Sequence, residues 1–470
     1  MKNLILLLVI SLVIPSCFKD SDINIDPNRS VTVDPALLFS GASTQLSLLR
    51  VAELTWPIAL GSQMWASGGR WGLAQANYDQ TRVRSAWGRT YTDILKNLNV
   101  ASDNVQASPS PNKNALAQIK ILVAFTYSQT TFLWGDIPFS EAANGKVDFP
   151  KFDQQKDVLN GCLTMLDQAI ADINETGKGI QAPNDLYYGG NMARWKKFAN
   201  SLKLRILFSM VEADPSKGAE IGKLMATNNF ISSVDDNMQF KYFNQPGRQN
   251  PRFSFTAIFR GGVQQDWYCA KPVYDLLVTL KDPRVPYFYQ KGPDAATNEF
   301  IALESTETFT TKSALVNMNL LRPELPEVSF SYSEQLLFEA EAIAKGFAPG
   351  GMDAATPKYR KGVEESVKSF GVPAADALQY ANALPALTSA NFRKQLAEQQ
   401  YLDLFMRPIE GWTQNRRSGN AGNEIPTLKT PPAAPVQGLF RRLLYRSEEV
   451  NSNPNTPKGV NIDTPMWFDK

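Results

Sequence analysis

Apolar residues return every three or four positions through much of this chain. Leu159, Leu163, Leu166, Ile170 and Ile173 form one such stripe, with Lys156, Asp167 and Asp172 elsewhere around the wheel; the spacing predicts an amphipathic helix. Similar stripes run through Leu116, Ile119 and Val123, through Trp195, Leu202 and Ile206, and through Leu336, Leu337, Ala340 and Ala344. They predict helix hairpins at about 85–105 with 112–133, 155–174 with 191–212, and 331–347 with 355–370, then a helix near 388–406. Helix pairs of this length stack into solenoids. The expected fold is therefore mainly α, a degenerate tetratricopeptide-like scaffold with few short strands and no strict period of about 34 residues. Three stretches, at about 55–83, 230–330 and 407–470, break the pattern with Gly, Pro, Asn and aromatics. They are expected as loop insertions that carry the functional site.

The first residues follow a different logic. Lys2 precedes an apolar run from Leu4 to Ile14, too short to span a bilayer, and Ser16 is the small residue that a signal peptidase needs. Ile14-Pro15-Ser16-Cys17 is similar to a bacterial lipobox, in which the cysteine thiol is acylated after the cut. Residues 1–16 are thus expected as a lipoprotein signal peptide and Cys17 as the lipidation site. Residues 17–35 hold Asp26-Pro27-Asn28 and Asp34-Pro35, and form a flexible tether to a single domain over 36–470.

Composition narrows the chemistry. The 470 residues are 43% hydrophobic, ample for a core, and the formal net charge of +2 offers no electrostatic footprint for nucleic acid. There is no histidine. That removes Ser-His-Asp and Cys-His catalysis and imidazole-bound zinc. A glycosidase using paired carboxylates stays open, but no paired-acid motif presents itself, so no catalytic residue is assigned. No cofactor is expected, and groups suited to a structural calcium are scattered without an EF-hand spacing. Cys162 and Cys269 read as two unlinked buried thiols, with a disulfide between them as the alternative.

Several segments, taken in order, resemble the SusD/RagB family of surface lipoproteins of Bacteroidota. They are Phe132-Leu133-Trp134-Gly135-Asp136-Ile137-Pro138; Trp195 to Arg205, which reads WKKFANSLKLR; Asp282-Pro283-Arg284; and Ser331 to Ala342, which reads SYSEQLLFEAEA. Gly411-Trp412 with Arg416-Arg417-Ser418-Gly419, and Phe440-Arg441-Arg442-Leu443-Leu444-Tyr445, complete the series; Leu444 stands where the family often has proline. The resemblance implies a tetratricopeptide-like scaffold and a loop-rich half that binds nutrient oligosaccharides or, less often, peptides. It also implies outer-membrane anchoring at the cell surface and a SusC-like TonB-dependent transporter as partner. A protein-binding adaptor is the remaining alternative.

The arginines of these motifs, Arg416, Arg417, Arg441 and Arg442, read as structural, and Asp136 as a turn former. Ligand contact is expected from aromatics that no helical stripe requires. Trp65 and Trp71 flank Gly68-Gly69, with Arg70, Asn77, Tyr78 and Asp79 close behind. Indole faces stack on the C–H faces of sugars, while arginine and amide groups meet hydroxyls in pairs. The competing assignment for either indole is core packing. Trp267 and Tyr268 are a second candidate, implied by the family's habit of placing binding aromatics in both regions. Trp87, Tyr91, Trp134 and Trp195 are expected to pack.

Overall fold

The computed structural model describes residues 33–67, 83–143, 145–259, 261, 266–297, 299–304, 308–420, 422–430, 434 and 436–469. One unit spans Met1–Asp34, of which only the last two residues are described, and a second spans Pro35–Lys470. Cys17 lies outside the described residues.

The second unit begins with helix that the stripe pattern did not reveal. Helix α1, Pro35–Leu48, starts on proline and passes through a wider π-type stretch, Leu49–Leu54, into α2, Thr55–Gly61. Its buried face carries Ser43 and Ser47 among Phe39, Ala42 and Leu46, so polar residues interrupt the apolar stripe. Both hydroxyls are satisfied, Ser43 by the Phe39 carbonyl at 2.8 Å and Ser47 by the Tyr242 hydroxyl at 2.8 Å. Helices α3, Arg84–Arg89, and α4, Lys96–Gln106, are likewise joined by a π-type stretch, Thr90–Leu95.

The predicted hairpins follow. Helix α5, Lys113–Trp134, is capped by the Asn112 side chain, which accepts from the Ala115 N–H at 3.0 Å. It is buried nearly all round and packs along α6, Gln155–Asp172, whose stripe buries Val158, Leu159, Cys162, Leu163 and Leu166. Helix α7, Met192–Met210, lies against α6 and against α8, Lys217–Met225. Helices α9, Pro251–Phe259, α10, Lys271–Thr279, and α11, Val285–Phe288, fall inside a stretch expected to be loop. Helix α12, Tyr332–Ala344, pairs with α13, Gly351–Ser369; then come α14, Ala374–Ala383, α15, Phe392–Asp403, α16, Pro408–Arg417, and α17, Ser447–Ser452. The three insertions are therefore not continuous loop: α2, α9, α10, α11, α16 and α17 lie in them, as do the six strands found among the described residues. Their helices are short, and short helices carry little periodic signal.

Buried arginines tie these helices together. Arg205 on α7 grips Glu334 on α12 with two hydrogen bonds of 2.8 and 2.9 Å, and Arg417 on α16 holds Glu341 on α12 at 3.0 and 2.9 Å. Arg284 pairs with Asp282 at 2.6 Å, fully buried, and reaches Ser366 on α13 and Gln399 on α15. Arg416 donates to the carbonyls of Phe132 at 2.8 Å and Arg441 at 2.6 Å and lies 3.7 Å over the Trp412 ring. Arg441 pairs with Glu424 and Asp469, and Arg442 donates to the Trp134 carbonyl. Asp136, expected to form a local turn, instead accepts from the Gln155 N–H at 2.8 Å and so caps the start of α6 nineteen residues on. Burial pushes the Arg416 guanidinium down to about 9, whereas burial at Glu341 is outweighed by Arg417 and Lys345, which bring it to about 2.

Cys162 and Cys269 are both free and buried, one on α6 and the other on a strand, in separate apolar clusters. Among the described residues, no helix is long and apolar enough to cross a membrane, and no group of acidic or cysteine side chains is arranged to hold a metal ion.

Candidate functional site

Four short antiparallel strands make a sheet in the order β1-β3-β5-β4: β1 Trp65–Ser67, β3 Trp267–Cys269, β5 Leu315–Val316 and β4 Tyr289–Gln290. In the register, Trp65 stands opposite Cys269, Ala66 opposite Tyr268, and Tyr268 opposite Leu315. Successive side chains in a strand point to opposite faces. One face therefore carries Trp65, Trp267, Cys269, Tyr289 and Val316, and the other carries Ala66, Tyr268, Ala270, Leu303 and Leu315, in two distinct apolar clusters.

This parity corrects two expected ligand residues. Trp65 and Trp267 are both 0% exposed. The Trp267 indole stacks on Trp56 of α2 at 4.0 Å and 17°, and Trp65 sits 6.0 Å from Trp56 and 6.1 Å from Phe405. They form the wall behind the sheet and offer no ring face to a ligand. The signal that decides this, the pairing of Trp56 with Trp267, spans more than two hundred residues and is invisible in either local segment.

Tyr268 faces the other way, into a second buried apolar cluster with Ala66, Ala270, Leu303 and Leu315, and is itself 5% exposed. Its ring lies 5.2 Å from that of Phe309, which is 39% exposed. Burial, aided by Asp266, pushes the Tyr268 hydroxyl up to about 12, so it is a neutral donor at any physiological pH. Glu304 and Lys429 pair at 3.9 Å, and the Lys429 carbonyl accepts from Gln63 at 2.5 Å, next to β1. Residues 68–82 follow β1 directly; Arg70, Trp71, Asn77 and Tyr78 lie among them, outside the described residues. Phe309 was missed. Its sequence cue is a lone ring between Thr308 and Thr310 in a stretch without helical or strand periodicity.

A second feature is a cleft of about 240 Å³ beside the paired strands β2, Met238–Phe240, and β6, Glu327–Phe330. It is lined from Thr55 at the start of α2, Arg252 on α9, Phe370 after α13, and Arg407 to Glu410 at the start of α16. Its floor is charged yet internally paired. Arg50 pairs with Glu327 at 2.7 Å and Glu410 at 2.9 Å, Arg407 pairs with Asp403 at 2.5 Å, and Arg252 donates to Thr55 Oγ1 at 2.8 Å. Burial alone would raise the Glu410 carboxyl, but Arg50, Arg205 and Arg407 hold it below the ordinary carboxylate range. Burial lowers Arg252 to about 10.

This helix-pair architecture with a small sheet matches solved structures over most of its length. A chitin-binding protein superposes with a TM-score of 0.79 at 22% identity, covering 93% of this chain and 100% of that one. A SusD/RagB family protein from Bacteroides thetaiotaomicron gives 0.78 at 17% identity, covering 93% and 99%. A chitin-binding SusD homologue from Flavobacterium johnsoniae gives 0.73 at 17% identity, covering 92% and 98%. These likenesses establish the fold. The family profile described as SusD-like, "starch-binding associating with outer membrane", matches residues 27–439, and the chain belongs to that family. No curated protein matches it.

Proposed function

We propose that this protein is a non-catalytic lipoprotein of the outer membrane that binds oligosaccharides at the cell surface and hands them to a SusC-like TonB-dependent transporter. Family membership over residues 27–439 carries the reading, since the family is described as starch-binding and associated with the outer membrane. The chitin-binding neighbours of the same fold add support for a glycan over a peptide. On this reading Cys17 bears the lipid. The ligand lies against the exposed Phe309 ring, which covers the buried Tyr268, with Arg70, Trp71, Asn77 and Tyr78 supplied by the segment that follows β1. An exposed aromatic ring beside polar groups suits sugars, whose C–H faces stack while their hydroxyls pair.

Calorimetry of the full chain against maltooligosaccharides, chitooligosaccharides and a mixed peptide pool tests the site. Saturable glycan binding that Trp71→Ala weakens supports it; binding of peptides alone, or of nothing, overturns it. Co-purification of a barrel protein with the native lipoprotein, lost when Cys17→Ala releases it from the membrane, tests the anchoring and delivery.

A further inference from the structure

The cleft beside β2 and β6 is not part of the outward sheet face. The two are linked through α2, whose Thr55 lines the cleft and whose next residue, Trp56, stacks on the inner side of the sheet, and through Leu320, Phe370 and Met406, which line the cleft and pack into the cluster behind the sheet. The contents of the cleft are not explained by packing. At ~30 Å³ per water it has room for about eight waters, hence for a polar molecule of roughly a dozen non-hydrogen atoms. One flank is apolar, with Leu320, Leu325, Phe370 and Met406. The other presents Ser331, Ser333, Asn237, Gln239 and the paired charges.

Three features define what fits. First, the charges balance: Arg50, Arg252 and Arg407 stand against Glu327, Asp403 and Glu410, while the exposed Arg322 has its own partner in Glu324 at 3.3 Å. A net charge on a ligand would find no excess of the opposite sign, so the occupant is neutral. Second, acceptor capacity is left over. Glu410 lines the cleft and is 8% exposed, and its Oε2 is buried with no hydrogen-bond partner among the described residues. A carboxylate offers about four lone-pair sites, and Asp403 uses one oxygen for Ser333 and the other for Arg407, so each keeps room for a further donor. Third, the polar groups are held rigid by one another before any ligand arrives, which lowers the ordering cost of binding.

We propose that this cleft is a second ligand site, separate from the sheet face, that takes one neutral sugar ring. A pyranose has the required shape, an apolar C–H face for the Phe370 and Met406 side and a rim of hydroxyl donors for the carboxylates. The ring is either a free monosaccharide or the end of an oligosaccharide, and the chemistry in the cleft is the same.

Saturation-transfer NMR on the full chain with D-glucose, D-galactose and N-acetyl-D-glucosamine, one at a time, tests it. Gln239→Trp and Ser369→Trp each place an indole in the cleft from a partly exposed position on opposite sides, and thermal unfolding verifies that each variant folds. The expected result is saturable binding of at least one sugar, weakened about tenfold or more by both variants and unchanged by Phe309→Ala. Maltotriose or chitotriose competing for the cleft identifies the chain end as the source; failure to compete identifies the free sugar. If none of the three sugars binds, or binding persists in both cleft variants, or it falls with Phe309→Ala instead, the cleft holds only water and the proposal fails. Oligosaccharide binding at the sheet face is read separately by calorimetry and stands or falls on its own.

Discussion

The helical scaffold and the surface around Phe309 place aromatic and charged side chains in opposite ways. In the scaffold, Arg205, Arg284, Arg416 and Arg417 are buried and spend their guanidinium donors on carboxylates and carbonyls of other helices. Trp134, Trp195 and Trp412 there are at most 1% exposed, and their indole N–H groups bond Leu444, Asp185 and Phe440. On the sheet face, the Phe309 ring stays exposed and Glu304 and Lys429 meet only loosely. The difference shows that the residues that make the chain recognisable as a family member are those that fasten its helices, and on the proposed reading ligand contact falls to side chains with fewer obligations.

That contrast breaks hardest at Glu334, which receives both Arg205 and Arg407. Glu334→Ala leaves two buried cations without it and is expected to cost about 3–5 kcal/mol in denaturant unfolding, without changing oligosaccharide affinity at the Phe309 site in the molecules that remain folded. Next is Glu341. Its ordinary value is 4.5 and its folded value about 2, so its stabilisation is complete above pH 4.5 and is lost as pH falls toward 2. The loss amounts to about 3 kcal/mol. Glu341→Gln should flatten the stability profile across that window.

A smaller effect is expected at Gly135, which ends α5 at φ +84, where an added Cβ would lie 3.0 Å from the Arg442 guanidinium. Gly135→Ala should cost about 1–2 kcal/mol, read as a shift in denaturant midpoint. Smallest for stability and sharpest for function is Phe309→Ala. It should leave the unfolding midpoint within about 0.5 kcal/mol of the parent. Glycan affinity should fall by about 1 kcal/mol, the scale of one aromatic contact. A large stability loss there would erase the contrast between the two regions.

Legibility in the sequence tracks the same division. Long stripes such as Leu159 to Ile173 predicted α6 to within two residues, and the family motifs marked Arg416, Arg417, Arg441 and Arg442 as structural, because periodicity and local motif both report on near neighbours along the chain. Helix α1 escaped because Ser43 and Ser47 occupy its buried face, and α9 to α11 because each is too short to show a period. Trp65 and Trp267 were read as ligand residues because an aromatic in an irregular stretch looks the same whether it faces water or another strand. Only the register of β1 against β3 distinguishes the cases, and register is a long-range property. Adjacent residues Trp267 and Tyr268 looked like one candidate, yet the pleat sends them to opposite sides.

That pleat has a consequence for change. Within three residues each, β1 and β3 serve two separate apolar clusters: Trp65, Trp267 and Cys269 pack into one, Ala66 and Tyr268 into the other. Substitutions at positions 66, 268 and 315 are therefore expected to leave the packing of Trp56, Trp65 and Trp267 untouched.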